Sequence, residues 1–259
     1  MRIASWNING IKARAQNLIE WLKNEQPDIL CLQEIKSTDE NFPVELFADL
    51  GYHIETYGQK SFNGVAIFSK SSPIEVKKGL DQYDHNQQAR YIEALFDINN
   101  FIIRIASIYC PNGNPIESEK YHYKCDWMEN FIEYATKLIK LEEKLILIGD
   151  YNIIPTEKDA KYPERWTQDA VFLPKSRSYY HKLLNLGFID AIRAKSDDEI
   201  YTFWDYQARS WEKNNGIRID HALVSPEVIN KLKDAYAQKE TRAKEKPSDH
   251  VPIWLILEK

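Results

Sequence analysis

Short apolar runs that stop on a carboxylate or a carboxamide are the feature that most restricts what this chain can fold into. Trp6-Asn7, Leu32-Gln33-Glu34, Ile148-Gly149-Asp150-Tyr151-Asn152 and Ile219-Asp220 each close or interrupt such a run, and Ser248-Asp249-His250 stands directly before another, Val251 to Leu257. A charge buried without a partner is costly, so this repeated placement implies that several strands deliver polar ends to one shared site. The runs, at residues 2–6, 28–33, 64–68, 92–98, 101–109, 145–149, 219–224 and 251–257, are rich in β-branched and aromatic residues and read as strands. Amphipathic helical patterns fall between them at 14–24, 124–141 and 178–186. Segments 36–44, 81–89, 111–122, 155–178 and 205–217 are rich in Pro, Asn, Gly and charge and are expected to be loops. Two sheets packed together, with helices outside, follow from this mixture.

The 259 residues exceed an average domain, but sandwiches of this size commonly fold around one core, and no interdomain linker is visible, so residues 1–259 are expected to form a single catalytic domain. The formal charge of −5 argues weakly against a protein that grips polyanions by net charge alone. It is compatible with a carboxylate cluster whose bound cation inverts the local field beside a basic rim. Cysteine occurs three times, at Cys31, Cys110 and Cys125, in odd number and without metal-ligand spacing, which fits free thiols in a cytoplasmic protein. No signal peptide or membrane span is legible in the sequence.

Oxygen donors of this kind suit a hard cation, Mg²⁺ with Mn²⁺ as a substitute, whereas zinc calls for spaced His and Cys. The composite suggests metal-assisted attack of water on a phosphoryl centre, with a carboxylate or an imidazole managing protons. Taken singly, each residue has a plainer reading: Asn7 as a strand-end amide, Glu34 as a helix N-terminal acid, Asp150 to Asn152 as an Asx turn, His250 with Asp220 as a structural pair. Cys31 reads as a buried small hydrophobe, and His221 as structural, on the strand face opposite Asp220.

Joined in order, WNINGIKAR at 6–14, LQEIK at 32–36, YCPNG at 109–113, GDYNIIP at 149–155, TFWDY at 202–206, GIRIDHALVS at 216–225 and EKPSDHVPIW at 245–254 resemble the successive motifs of the exonuclease III family of apurinic/apyrimidinic endonucleases. That family lies within the endonuclease/exonuclease/phosphatase superfamily. The resemblance implies an α+β fold of the deoxyribonuclease I type: a four-layer α/β/β/α sandwich with two packed mixed β-sheets and a site at one end of the strands. It implies Glu34 as the principal metal ligand with Asn7 and Asp249 close by. Asp150 and Asn152 match the pair that positions the attacking water and the phosphate, His250 the imidazole facing the phosphate, Asp220 its orienting carboxylate, and Tyr109 a phenol on the phosphate or leaving oxygen. Asp150 and the His250–Asp220 couple both remain candidates for general base.

The same resemblance puts Phe203, Trp204 and Ile217 at a small apolar pocket that would admit a base-less sugar, with one of the two aromatics in the core and Phe203 preferred for the pocket. Lys36, Arg90, Asn112 and Gly113 are expected to contact DNA phosphates. The implied activity is DNA repair by a monomer, in base excision repair: incision of the backbone 5′ to abasic sites and trimming of nucleotides or blocking groups from 3′ ends of duplex DNA. Three other readings are weighed. A 3′-end-trimming specialist shares every motif. A lipid or inositol phosphoesterase should show an exposed apolar hairpin or extra basic residues, and a non-catalytic module should lack ligands; neither pattern is present.

Overall fold

The computed structural model describes residues 1–80 and 88–258. In chain order its strands are β1 (Arg2–Asn7), β2 (Ile29–Gln33), β3 (His53–Tyr57), β4 (Val65–Ser69), β5 (Glu75–Lys78), β6 (Tyr91–Ile98), β7 (Phe101–Tyr109), β8 (Leu145–Asp150), β9 (Ile189–Asp190), β10 (Asp220–Val224), β11 (Leu232–Ala237) and β12 (Ile253–Leu257). They form two sheets, in the orders β11-β12-β1-β2-β4-β3 and β5-β6-β7-β8-β10-β9. Both are mixed: β1 runs parallel to β2 and β7 to β8, and the other neighbours are antiparallel.

Each sheet is covered on both faces, which is why its central strands are continuous apolar runs rather than alternating ones. Ile3, Cys31, Ile67, Ile105, Ile148 and Ala222 meet between the sheets. Their neighbours in sequence point outward: Ala4, Leu30, Leu32 and Phe68 pack under helix α1 (Ile11–Glu25), against Leu18, Trp21 and Leu22. Ala106, Ile108, Leu145 and Leu147 pack under α2 (Glu119–Ile139) and α3 (Pro174–Asn185), against Trp127, Phe131, Tyr180 and Leu183. The result is the expected four-layer sandwich.

Two of the expected loops are shorter than the sequence suggests. Ser118 caps the amide of Lys120, so α2 begins inside 111–122, and Pro174 opens α3 inside 155–178, its missing N–H being harmless in a first turn. Of segment 81–89, residues 81–87 lie outside the described residues. Among the described residues no helix is long and apolar enough to cross a membrane.

Candidate active site

Strand direction brings the polar ends together. β1 and β2 are parallel with Asn7 opposite Gln33, so Asn7 and Glu34 leave the first sheet at one edge. β12 is antiparallel to β1, which puts the residues that lead into it, Asp249 and His250, at that same edge. In the second sheet Tyr109 pairs with Asp150 and Asp150 with Asp220, so three polar residues lie side by side at the matching end. The chain then turns sharply. Glu34, Lys36 and Asn152 have φ of 51°, 50° and 48°, left-handed conformations uncommon for residues with a Cβ and concentrated where the surroundings hold a site rigidly.

The two sheets meet over one small volume. Single ligating atoms of Glu34, Asp150 and His250 lie within 4.8 Å of one another. The Nδ2 of Asn7 donates to Oε1 of Glu34 and to Oδ2 of Asp150, at 2.9 Å each, and its Oδ1 accepts the backbone N–H of Asn9. Asp150 also accepts from the backbone N–H of Asn152 at 2.9 Å and from its side-chain amide at 3.3 Å. His250 Nδ1 is 2.8 Å from Asp220 Oδ2, and its Nε2 is 3.8 Å from Asp150 Oδ2.

Burial by itself would lower the pKa of His250, but the carboxylates of Asp220 and Asp150 outweigh it and hold the imidazole up to about 10. Burial raises Asp150 to about 7, assisted by Asp220 and Glu34 and opposed by His250. Glu34 stays below the ordinary range: burial pushes it up, and the Lys36 ammonium at 2.8 Å with the amide of Asn7 more than offsets that. The buried phenol of Tyr109, facing Glu34, is raised well above its usual value and remains protonated. The carboxylates of Glu34 and Asp150 converge from two sheets, and Glu34, a hard donor held below the ordinary range, is the group best fitted to hold a cation. Asp249 lines the same cavity outside this tight group, its carboxylate accepting from Asn9 Nδ2 at 2.9 Å.

Beside these groups lies a cavity of about 270 Å³ whose apolar wall is Trp166, Val171, Phe203, Ile217 and Ile219. Phe203 is partly exposed, bridges to Ile217 and His250, and sets its ring 5.0 Å from the imidazole, edge to face. Trp204, the other aromatic expected at this wall, is corrected: it is fully buried and packs on Tyr201, Val251 and Trp211, because successive residues of an extended segment point to opposite sides. Gly216 is needed there, since a Cβ on it would come within 2.6 Å of the Trp204 indole nitrogen.

Lys36 and Arg90 are engaged inside the protein. Lys36 bonds Glu34 and, at 2.5 Å, the Asn9 side chain. Arg90, 9% exposed, lies over the rings of Tyr109 and Tyr123 and donates to Gln88. It borders a second groove shared with Asn112, Gly113 and Lys120. Asn112 donates to Asn152 Oδ1 at 3.0 Å and so reaches the site from the β7–α2 loop. His221 is buried between Arg218 and the Ile153 carbonyl; burial and Arg218 depress it to about 3, so it stays neutral. Trp166, Asp169 and Asp205 line the cavity without having been legible as site residues, since a lone aromatic or acid in a polar loop carries no signal.

The endonuclease/exonuclease/phosphatase family model matches residues 4–250. The chain is 34% identical to exodeoxyribonuclease III of Haemophilus influenzae over 98% of each sequence. It is 32% identical to the DNA repair nuclease APEX1 of Danio rerio over 99% of this chain and 82% of that one. Among solved structures it superposes on a 3′ phosphatase, NExo, from Neisseria bound to a product DNA hairpin, with a TM-score of 0.95, 35% identity and full coverage of both chains. It also superposes on an AP endonuclease from Archaeoglobus fulgidus, with a TM-score of 0.94, 36% identity and full coverage of both.

Proposed function

The chain belongs to the endonuclease/exonuclease/phosphatase family, in its exonuclease III branch, and from that premise we propose that it is a magnesium-dependent phosphodiesterase that cuts duplex DNA 5′ to abasic sites and trims 3′ ends. It is a hydrolase of the metal-dependent nucleases of DNA repair. What chiefly supports the finer reading is the convergence of Glu34, Asp150 and His250 within 4.8 Å, carried by both sheets. We read residues 1–259 as one catalytic domain working as a cytoplasmic monomer.

In this mechanism Glu34 would hold the cation with Asn7 and Asp249 beside it, and Asn7 would also space Glu34 from Asp150. When bound, Mg²⁺ supplies Lewis-acid polarisation of the phosphoryl oxygen and lowers the repulsion between the carboxylates. His250, charged at neutral pH, faces the phosphate and offsets its negative charge, and Asp220 fixes the tautomer and ring orientation. That charge state makes His250 a poor proton acceptor. Asp150, with a pKa near neutrality, is the better general base for water. A new P–O bond forms from water, whose proton passes to Asp150, as the bond to the leaving 3′ oxygen breaks and that oxygen takes a proton from solvent. The neutral phenol of Tyr109 can donate a hydrogen bond to the phosphate or to that oxygen, while Asn152, held by Asn112 and the Cys110 carbonyl, orients Asp150 toward the water and phosphate.

The direct test compares one abasic duplex and one recessed 3′-end duplex with and without Mg²⁺. Both should be cut only with the ion, and activity that survives exhaustive chelation overturns the metal-dependent reading. Glu34→Gln should weaken Mg²⁺ binding measured by calorimetry by at least about tenfold, since it removes a charged hard ligand, with the melting temperature nearly unchanged. Unaltered ion affinity would remove Glu34 from the ligand set.

An apolar wall of Val171, Phe203 and Ile217 beside His250 would receive a sugar without a base, and this supports abasic incision over end trimming alone. Phe203→Ala should therefore lower the preference for abasic over intact duplex, and, because the ring packs on His250, also slow cleavage. If both the preference and the rate are unchanged, the wall has another owner.

A further inference from the structure

A lysine with no place in the mechanism above lies directly beneath it. Lys124, on α2, is completely buried. Its Nζ donates to the backbone carbonyl of Asn152 at 2.6 Å and to that of Asn112 at 3.0 Å. Burying an ammonium is expensive, and backbone carbonyls repay only part of the cost. Burial accordingly pushes the group below the ordinary lysine range, while the charges of Asp150 and Asp169, among others, pull it back.

The two carbonyls belong to the two loops that carry amides into the site. Asn112 follows β7 and Asn152 follows β8, and the side chains of the pair bond each other at 3.0 Å. Asn152 is also left-handed, with φ of 48°, a conformation that needs holding. Next to Asn112, Gly113 has φ of 93° and lies against the lysine stem so closely that a Cβ would sit 2.7 Å from Lys124 Cδ. A glycine and a buried cation thus fit one another under the loops.

We propose that Lys124 is a positioning residue, gripping the carbonyls of Asn112 and Asn152 from beneath and thereby setting the aim of both side-chain amides. The inference rests on the nuclease reading for its rate consequences and on geometry alone for its structural ones. Misplacement of a catalytic group by about 1 Å can cost ~100-fold in rate. Lys124→Met, which keeps the stem and removes the donors, should lower turnover on the abasic duplex with saturating Mg²⁺ by roughly 10- to 100-fold. KM should move far less. Lys124→Gln, which retains a donor for one carbonyl, should lose less than Met. In the Asn152→Ala background the Met substitution should cost little more, because Asn112 acts on the site through its bond to Asn152 and the effect of both amides therefore runs through that residue.

Turnover at the wild-type level in a folded Lys124→Met variant, a loss confined to KM, or full additivity with Asn152→Ala would each overturn the proposal. Should the Met variant not fold, undiminished turnover in Lys124→Gln does so. If the wild-type chain cuts no DNA, the nuclease reading fails and NMR decides the inference separately. The side-chain amide signals of Asn112 and Asn152 should lose their dispersion in Lys124→Met or Lys124→Gln while that of Asn63, held elsewhere by Gln59 and Gln88, stays. Undisturbed Asn112 and Asn152 signals would sink it.

Discussion

Asp150→Asn is expected to lower single-turnover cleavage of an abasic duplex by at least about a hundredfold, since removal of a general base commonly costs ~10²–10⁴ in rate. The substitution keeps the shape that accepts the backbone N–H of Asn152, so the fold should persist and DNA affinity should change little. It removes both the proton acceptor and one of two carboxylates facing the cation. His250→Asn should cost a similar factor, through loss of the charge that meets the phosphate. Asp220→Asn should be milder, because it orients the ring rather than touching substrate. As His250 and Asp220 are joined at 2.8 Å, their double variant should lose less than the product of the two single losses. The pH profile carries a sign. Asp150 must be ionised to accept a proton, so its loss of activity lies on the acid side, and Asp150→Asn should flatten that limb. A near-normal rate for Asp150→Asn would remove it from the mechanism, and strict multiplication in the double variant would separate His250 from Asp220.

Arg218→Met is expected to be the most damaging substitution outside the site. The guanidinium is completely buried, bonding Asp159 and Asp190 at 2.7 Å each and meeting Nδ1 of His221 at 3.0 Å. Taking away one member of a buried ion network leaves charges without compensation and typically costs ~3–5 kcal/mol. Arg193 still reaches Asp159, which limits the loss there. Asp159 and Asp190 are both held below the ordinary carboxylate range: burial alone would raise them, and Arg218 more than reverses it. Depressed carboxylates stabilise the fold above their unfolded pKa, about 3.9, and that contribution fades as pH falls through the folded values. Urea unfolding of the wild type and the variant should therefore show a large gap at pH 7 that narrows below about pH 4. An equal gap at both would mean that Arg218 acts by packing volume and not by charge.

Sequence was most informative where burial was most complete. The central strands are covered on both faces, and their apolar runs mark them within a residue or two. β3, β5 and β11 read HIETY, EVKK and LKDAYA, are partly exposed, and left no apolar run to find. β9 has two residues. The polar ends were visible because each closes an apolar strand, whereas the partners that hold them were not. Lys124 sits in a helix whose sequence, EKYHYKCDW, gives no reason to bury that lysine rather than Lys120. Arg218 and Asp159 are 59 residues apart and resemble ordinary loop charges until the fold closes over them. The Phe203 and Trp204 pair shows the limit most plainly: alternation says that one faces the site, and only the register of the Ile217 bridge fixes which.

The first sheet is assembled from both ends of the sequence, with β12 inserted between β1 and β11, and His250 arrives only with the approach to β12. During translation, then, Glu34 and Asp150 are already made while the imidazole is still to come, and the site closes only once the chain has passed residue 250 and supplied the strand that pairs with β1.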